Sequence, residues 1–160
     1  MSINYTKIEK LTIIGLDNGV TVTAMFNPKE IGVNKSVPWT KHKDSKSDQP
    51  SVEFSSAEGR SMDFELWFDT YEEGTNVHAL HVAKLMQLAM VMDPDGAEDK
   101  KRPTRVKVVW ANGALPAFEG VIESIGTKYT MFLPNGTPVR ATCSVKVKEA
   151  SRASFKKGGS

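Results

Sequence analysis

The sequence has little of what stabilises small secreted proteins or holds a chain in a membrane. It contains one cysteine in 160 residues, so an internal disulfide is impossible and a reducing compartment is expected. No apolar run approaches the roughly 20 residues that span a bilayer. The first residues do not join a basic segment to an apolar one, so we expect no secretory signal.

An excess of charge of one sign is also lacking. Lys and Arg number 21 and Asp and Glu 19, a net charge of +2, which is too balanced to indicate a nucleic-acid or membrane partner from composition alone. The hydrophobic share of 39% is that of an average globular protein, and the length predicts one domain with a sizeable core. We expect this domain at 1–149 and a flexible, basic tail at 150–160.

Motifs of catalysis and of cofactor binding are missing as well. There is no phosphate-binding loop, no dinucleotide-binding glycine pattern, no nucleophile elbow and no Cys-x-x-Cys pair. His42 lies in a Lys-rich loop, where a solvated side chain is expected. His78 and His81 share a helix face without a neighbouring third ligand, so structural or interface packing is favoured over a metal site. Cys143 alternates with polar residues and is predicted to face the core. We therefore expect no enzyme, no cofactor and no metal.

What the sequence does contain is a series of short alternating segments separated by turn residues. The clearest is 61–68, in which Met62, Phe64, Leu66 and Phe68 share one face. Asn18-Gly19 is a strong hairpin signal between two strands, and Gly126 is predicted to lie in a turn between two others. Strands are predicted at 7–14, 20–26, 52–56, 61–68, 105–110, 119–125, 129–133 and 139–148, with a further short segment at 30–35.

One helix is predicted at 77–92, capped by Asn76 and closed by Asp93 and Pro94. Its two sides are both apolar, and the second side carries Val82, Met86 and Met90, so we expect a second subunit to cover it. The polar, Lys- and Ser-rich stretch 36–49 is predicted to be a long exposed loop with a function. Together these elements favour a mainly β fold with one α-helix, either an antiparallel β-barrel or a two-sheet sandwich flanked by the helix.

Basic residues form two clusters along the chain. The first contains Lys35, Lys41, Lys43 and Lys46, and the second contains Lys100, Lys101, Arg102 and Arg105. With Trp39 as a stacking residue, they allow an alternative function, a small β-barrel module that binds nucleic acid or an acidic polymer. Because the net charge is almost neutral, we favour solvated loops that pair with acidic groups of a neighbouring subunit.

Five segments with distinctive motifs follow one another along the chain. They begin with Phe26-Asn-Pro-Lys-Glu, continue with Leu66-Trp-Phe-Asp-Thr-Tyr ahead of the helix, and end with a segment that leads from Tyr129 through a turn to Arg140 and Ala141. Together they resemble the tube-like N-terminal domain of contractile injection system proteins. The segments are 26–36, 66–77, 102–110, 118–125 and 129–141. The second proline of the family's Arg-Pro-Pro pattern is Thr104 here.

This resemblance implies a phage-tail-tube-like fold and a hexameric ring at the baseplate end of an inner tube, between the spike hub and the tube. The implied partners are copies of the chain, the adjacent tube protein and the hub or spike proteins. Assembly in the cytoplasm and incorporation into a phage-tail-like particle are expected. Many relatives carry a LysM domain after this one, and here we expect the ring-forming domain alone.

The interface between subunits or rings is predicted from two places: the arm, residues 35–54, which we expect to contact the adjacent ring, and the second side of the helix. Trp39 is the expected anchor, since buried aromatic residues dominate such interfaces. The predicted residues are Lys35, Trp39, Lys41, Lys43, Val52, Phe54, Val82, Met86 and Met90.

Overall fold

The computed structural model describes residues 8–37, 39–42, 51–54, 59–110, 113 and 115–150. For 39–42 and 51–54 the description covers the backbone. The predicted tail at 150–160 lies outside these residues apart from Ala150.

Nine strands and three helical segments follow one another along the described chain. The strands are β1 (Thr12–Gly15), β2 (Thr21–Thr23), β3 (Ile31–Lys35), β4 (Trp39–His42), β5 (Ser51–Phe54), β6 (Arg60–Asp69), β7 (Val106–Val109), β8 (Phe118–Phe132) and β9 (Pro138–Glu149). A π-helical turn, His78–Val82, leads directly into α1 (Ala83–Gln87), and Glu98–Lys100 is a 3₁₀ turn. The predicted mainly β fold with one helix is confirmed.

Seven of these strands form one antiparallel sheet in the order β2-β1-β7-β8-β9-β6-β3. The longest pairing apart from the β8–β9 hairpin joins β6 to β9, from Ser61 opposite Lys148 to Asp69 opposite Arg140. Alternate residues of both strands are buried, as the period of two in their sequences predicts. The predicted core face of β6 is confirmed, because Met62, Phe64, Leu66 and Phe68 are all buried.

The sheet curls until its two ends approach each other. Strands β2 and β3 lie at opposite edges, yet the seven residues 24–30 that connect them span at most about 25 Å. Phe26 also forms an antiparallel bridge with Trp67 of β6, on the far side of the sheet. The result is a barrel-like sheet whose interior receives the helix through the buried Val77, Val82, Leu85 and Leu88.

Two expectations about the strands are corrected. β8 is a single strand of 15 residues that runs through Gly126, where a turn was predicted. It accommodates irregular pairing by bulges near Glu123 and Thr130 rather than by reversing direction. The stretch 36–49 is not all loop, since Trp39–His42 forms β4 and pairs with β5.

The predicted helix at 77–92 is too long and has the wrong phase. Helical structure ends at Gln87, and Val91 bridges to Pro103 instead. The π-helical turn, in which the Ala83 amide donates to the His78 carbonyl, inserts one extra residue into the turn. The extra residue rotates the side chains relative to those of a regular helix. As a result Val82 is buried in the core and Leu80 is exposed.

Candidate assembly interface

Strand β3 forms a free edge of the main sheet. It pairs with β6 on one side, from Ile31 opposite Phe64 to Lys35 opposite Arg60. In the described part of the chain no strand pairs with its other side. Lys35 and two neighbours are exposed, and Val33 is 50% exposed. An unpaired edge with an exposed apolar side chain is a template for pairing with another chain.

The far part of β8 forms a second and longer free edge. β7 pairs with β8 only from Phe118 to Gly120, whereas the pairing with β9 continues to Phe132 opposite Pro138. Among the described residues, 121–132 therefore lack a second strand partner. The sequence indicates one continuous strand here, because alternate residues share one face across Gly126. These residues are Ile125, Thr127, Tyr129 and Met131.

Strands β4 and β5 form a separate two-stranded ribbon. In its register Trp39 lies opposite Phe54 and Lys41 opposite Val52, so the backbone brings these four predicted interface residues together as two cross-strand pairs. Lys43, another predicted interface residue of the arm, lies outside the described residues. A ribbon with no pairing to the main sheet in the described structure is suited to contact a neighbouring molecule.

The outer side of the helical segment carries apolar side chains, but they are not all the predicted ones. Val82 is fully buried in the subunit core, so its prediction as an interface residue is wrong. Met86 is partly buried against the same core. Met90 is 61% exposed, and Leu80, which the predicted phase placed on the core side, is 47% exposed. Leu80 and Met90 thus replace Val82 on the exposed apolar surface.

An open groove of about 980 Å³ lies on the outer face of the sheet, beside the loop that leads into β3. At one end of it the rings of Phe26 and Trp67 lie 5.5 Å apart between centroids. The guanidinium of Arg140 lies 5.5 Å from the Trp67 centroid and forms a 2.9 Å ion pair with Asp69. Sequence reasoning missed this aromatic pair, although both residues belong to segments that carry the family resemblance.

Asn27 and Trp110, which belong to the segments with the family resemblance, hold residues 9–11 against the sheet through hydrogen bonds. The Asn27 side-chain amide donates to the Glu9 carbonyl at 2.7 Å, and its oxygen accepts from the Leu11 amide at 2.9 Å. The indole of Trp110 donates to the same Glu9 carbonyl at 3.2 Å. The Asn27 side chain thus forms the two hydrogen bonds to residues 9 and 11 that the backbone of a neighbouring strand would otherwise form. Its role is therefore structural.

A group of ion pairs and hydrogen bonds around Asp17, which we term the Asp17 latch, joins the β1–β2 turn to the segment before β7. The Asp17 carboxylate accepts from the Arg105 backbone amide and guanidinium, at 2.8 and 2.9 Å, and from the Arg102 guanidinium at 2.9 Å. The hydrogen bonds from Arg105, with those from Arg102, hold the pKa of Asp17 far below its usual range. The Thr104 hydroxyl, where the family has proline, accepts from the Asp17 amide at 2.9 Å.

The ion pairs of the Asp17 latch argue against nucleic-acid binding by the second basic cluster. Arg102 and Arg105 pair with Asp17, and Lys101 forms a 2.9 Å ion pair with Glu98. Basic side chains that are already paired with carboxylates of their own chain are poorly placed to neutralise phosphates. In the first cluster the structure describes the side chain of Lys35, which is exposed; the other three side chains lie outside the description.

The two helix histidines pack against the sheet and do not face a common ligand. His78 Nδ1 lies 2.5 Å from the Tyr129 hydroxyl, at the far part of β8. His81 stacks on Phe68, with centroids 4.9 Å apart and planes 8° from parallel. Burial, reinforced by the charge of Lys84, lowers the pKa of His81. Among the described residues no group of three or more His, Cys, Asp or Glu side chains is placed to hold a metal ion.

Cys143 fills the core-facing position that its alternation predicts. Its side chain is fully buried, and burial raises the pKa of its thiol. A buried, protonated thiol is a packing group rather than a nucleophile. Within the described part of the chain, no helix has both the length and the apolar character that a membrane span requires.

Comparison with known protein families identifies one family for this chain. A family model described as contractile injection system tube protein matches residues 7–157, nearly the whole chain. No curated protein matches the sequence.

Proposed function

Since the chain belongs to the contractile injection system tube protein family, we propose that it forms one ring of the inner tube of a contractile injection machine. Membership makes the chain a structural component of such a system. The ring, its subunit number, its position and its contacts are our proposal, and the role needs no catalytic residue.

The observation that carries the ring is a run of four neighbouring strands in the main sheet, whose two outer edges have no partner strand among the described residues. Strands β8, β9, β6 and β3 are neighbours in this order, with 121–132 of β8 at one edge and Ile31–Lys35 at the other. Pairing the β3 edge of one subunit with the β8 edge of the next is a head-to-tail contact, which generates a closed ring when the rotation closes. Closure also removes both exposed edges.

Six subunits, the number that the family resemblance implies, would join roughly 24 strands into one continuous barrel. At about 4.8 Å between neighbouring strands, such a barrel has a backbone diameter of at least about 37 Å, and strand tilt increases it. A ring of this size has an open channel, as a tube requires.

The exposed apolar residues of the helical segment supply a second contact in the ring. Leu80, in the π-helical turn, and Met90, three residues after the helix ends, are both exposed, whereas Val82 and Leu85 between them are buried in the core. Covering them with a neighbouring subunit would remove apolar surface from water at about 25 cal/mol per Å². The partly buried Met86 lies at the border between the core and this surface.

We place the ring at the baseplate end, between the hub or spike proteins and the first ring of the tube protein. The resemblance of the five sequence segments to proteins at that position supports this placement. The β4–β5 ribbon, which begins four residues after β3, supplies an arm for the adjacent ring. Lys35 and the cross-strand pairs of Trp39 with Phe54 and Lys41 with Val52 would form its contact surface.

Negative-stain electron microscopy of the purified protein, alone and with co-expressed neighbours, tests the proposal. We expect rings with a central channel, or the protein at one end of a tube. A lysine at the β3 edge, Val33→Lys, should give a folded subunit without rings, while Glu72→Lys in the exposed turn at 71–74 should form rings as the parent does. Parent protein that stays monomeric and joins no particle would overturn the proposed ring.

The position in the particle has its own test. Replacing 40–49 by a short Gly-Ser linker should leave rings intact but prevent their stacking on the adjacent component. If particles assemble normally with the shortened arm, the arm has no role in stacking.

A further inference from the structure

The direction of pairing between neighbouring subunits follows from the strand order of the main sheet. Each of the pairs β8–β9, β9–β6 and β6–β3 is antiparallel, so β8 and β3 of one subunit run in opposite directions. Rotation about the central axis of a ring keeps the direction of each strand relative to that axis. The β3 edge of one subunit therefore meets the β8 edge of the next as an antiparallel pair, an inference that rests on the proposed ring.

The alternation of the two faces restricts the register of this pair. Residues that lie opposite each other in antiparallel strands point to the same face of a sheet. On β3 the residues opposite the buried side of β6 are Ile31 and Val33. On β8 those opposite buried residues of β9 are Ile125, Thr127 and Tyr129. The first set must meet the second, so the register can change only in steps of two residues.

The tilt of the strands in a barrel sets the offset between neighbouring subunits. Four strands at a spacing of about 4.8 Å span about 19 Å, and a tilt of about 35–45° shifts the next subunit by about 13–19 Å along the strands. This distance corresponds to roughly four to six residues. The offset is counted from Ile125, because Ile31 is level with it inside one subunit, through Phe64 and Val145.

A shift of about four residues is the one that the free edge accommodates. It places Ile31 opposite Tyr129 and Val33 opposite Thr127, in the regularly paired part of β8. A shift of about six residues would move Ile31 into the irregular pairing that begins after Tyr129. A shift in the other direction would need 118–120, which already pair with β7.

The Asp63 carboxylate of β6 lies over β3 at the free edge, because Gly32, the residue opposite it, has no side chain. A Cβ on Gly32 would lie 2.7 Å from the nearer carboxylate oxygen. The Asn34 side-chain amide donates to this oxygen at 3.2 Å. On its other side Asp63 faces Lys146 of β9, but the ammonium of Lys146 lies 3.8 Å from the carboxylate of Glu123. Among the described residues Asp63 forms no ion pair, so its exposed charge is available to the next subunit.

Lys128 of β8 carries the matching charge at the opposite edge of the subunit. It is exposed and lies opposite Thr142 of β9, on the same outer face of the sheet as Asp63. Lys128 has no ion-pair partner in the part of the chain that the structure describes. After the shift of about four residues, Lys128 of one subunit lies opposite Gly32 of its neighbour.

We propose that the subunits of the ring join by antiparallel pairing, with Val33 of one subunit opposite Thr127 of the next. In this register Lys128 of the second subunit binds Asp63 of the first across Gly32. The Cα atoms of Asp63 and Lys128 lie two strand spacings apart, about 10 Å. The Asp63 carboxylate already covers the first spacing, and the four-carbon stem of the lysine covers the second. A charge pair at such a boundary fixes the register of the two edges.

The same register also brings exposed aromatic residues together. Phe132, at the end of β8, is 55% exposed, and Phe26 and Trp67, near the opposite edge, are 45% and 43% exposed. Inside one subunit Trp67 is level with Lys128, through β9. The shift of about four residues makes it level with Phe132 of the next subunit. Contact among the three rings removes apolar surface from water when the ring assembles, which supports the register independently of the charges.

Disulfide cross-linking in the full-length protein tests the register, since the native Cys143 is fully buried. In the double variant Val33→Cys with Thr127→Cys, mild oxidation should link neighbouring subunits, because only directly opposite residues bring their Cα atoms within about 7 Å. Val33→Cys combined with Ile125→Cys or with Tyr129→Cys should give about ten-fold less of the linked product. Val33→Cys alone should give none. A higher yield from either shifted pair would overturn the register.

Charge reversal tests the ion pair. Asp63→Lys and Lys128→Asp each set like charges against each other and should raise the protein concentration needed for ring assembly about ten-fold. The double variant should restore assembly, and Glu72→Lys, in the exposed turn at 71–74, should assemble as the parent does. Analytical ultracentrifugation measures assembly, and circular dichroism confirms that the variants are folded. A double variant that assembles no better than the single variants would overturn the ion pair.

Electron microscopy of the same proteins separates this inference from the proposed function. Rings whose disulfides form in another register would overturn the pairing of Val33 with Thr127 and leave the proposed ring standing. A parent protein that forms no rings would overturn both.

Discussion

Phe26 and Trp67 connect the two ends of the curled sheet through an exposed pair of rings. Their backbones form an antiparallel bridge, and their ring centroids lie 5.5 Å apart with the planes inclined by 49°. Phe26 follows the strand at one edge of the sheet, and Trp67 lies in the strand next to the other edge. This contact fixes the loop that leads into β3, and hence the position of the free edge that we propose for ring formation.

The aromatic pair should contribute measurably to stability. Phe26→Ala and Trp67→Ala should each lower the free energy of unfolding by about 1–2 kcal/mol, and the double variant should reveal a coupling of about 1 kcal/mol. Urea unfolding of the parent, both single variants and the double variant measures this coupling. Strictly additive effects would show that the rings do not interact energetically.

The Asp17 latch should stabilise the fold at neutral pH and lose its effect in acid. Asp17→Asn should lower the free energy of unfolding by about 2 kcal/mol, since it removes a partly buried charge that serves two guanidiniums. The folded-state pKa of Asp17 lies below its ordinary value of 3.8, so its stabilising contribution is present above that pH and is lost as pH falls further. Urea midpoints of the parent and the variant should stay apart between pH 6 and pH 4 and should approach each other only as the pH falls below 3.8. Glu72→Gln, the loss of an exposed carboxylate, should change little.

His81 should make the fold less stable under mildly acidic conditions. Its folded-state pKa lies below the ordinary value of 6.5, so the unfolded chain takes up the proton first and stability is lost as pH falls below about 6.5. His81→Phe keeps a ring stacked on Phe68 and should flatten the dependence of the melting temperature on pH between 7 and 5. His78→Gln, which leaves His81 in place, should retain that dependence. A steep parent curve that His81→Phe does not flatten would contradict this assignment.

Val82 and Met90 should respond in opposite ways to the same substitution. Val82→Asp puts an unpaired charge into the core and should prevent folding, while the milder Val82→Ala should cost about 2 kcal/mol. Met90→Asp should leave stability within about 0.5 kcal/mol of the parent but reduce ring formation, because Met90 is exposed on the single subunit. Thermal unfolding and electron microscopy measure the two effects. Normal rings from Met90→Asp would remove the helix surface from the interface.

Much of the β structure was predictable because short-range patterns specify it. The alternation of β6 and β9 identified their core faces, including Cys143, and Asn18-Gly19 identified the first hairpin. The errors lie where a local rule has an exception. Gly126 resembles a turn in isolation but lies inside a strand of 15 residues that β9 supports along most of its length.

The interface residues were less predictable than the fold. Val82 was assigned to the outer surface because a regular helix was assumed, and the π-helical turn His78–Val82 altered the phase by one residue. Arg102 and Arg105 formed a basic cluster in the sequence, but their partner, Asp17, lies more than 80 residues earlier in the chain. Pairings over such separations leave no local pattern.

The sequence by itself determined the mainly β class, the core faces of the strands and the family, because these depend on alternation, turn residues and motif order within short segments. The tertiary structure alone decided which strand edges stay unpaired, how the helix is rotated and which charges neutralise each other. Those features depend on contacts between distant parts of the chain, whose geometry is set when the whole sheet curls around its core.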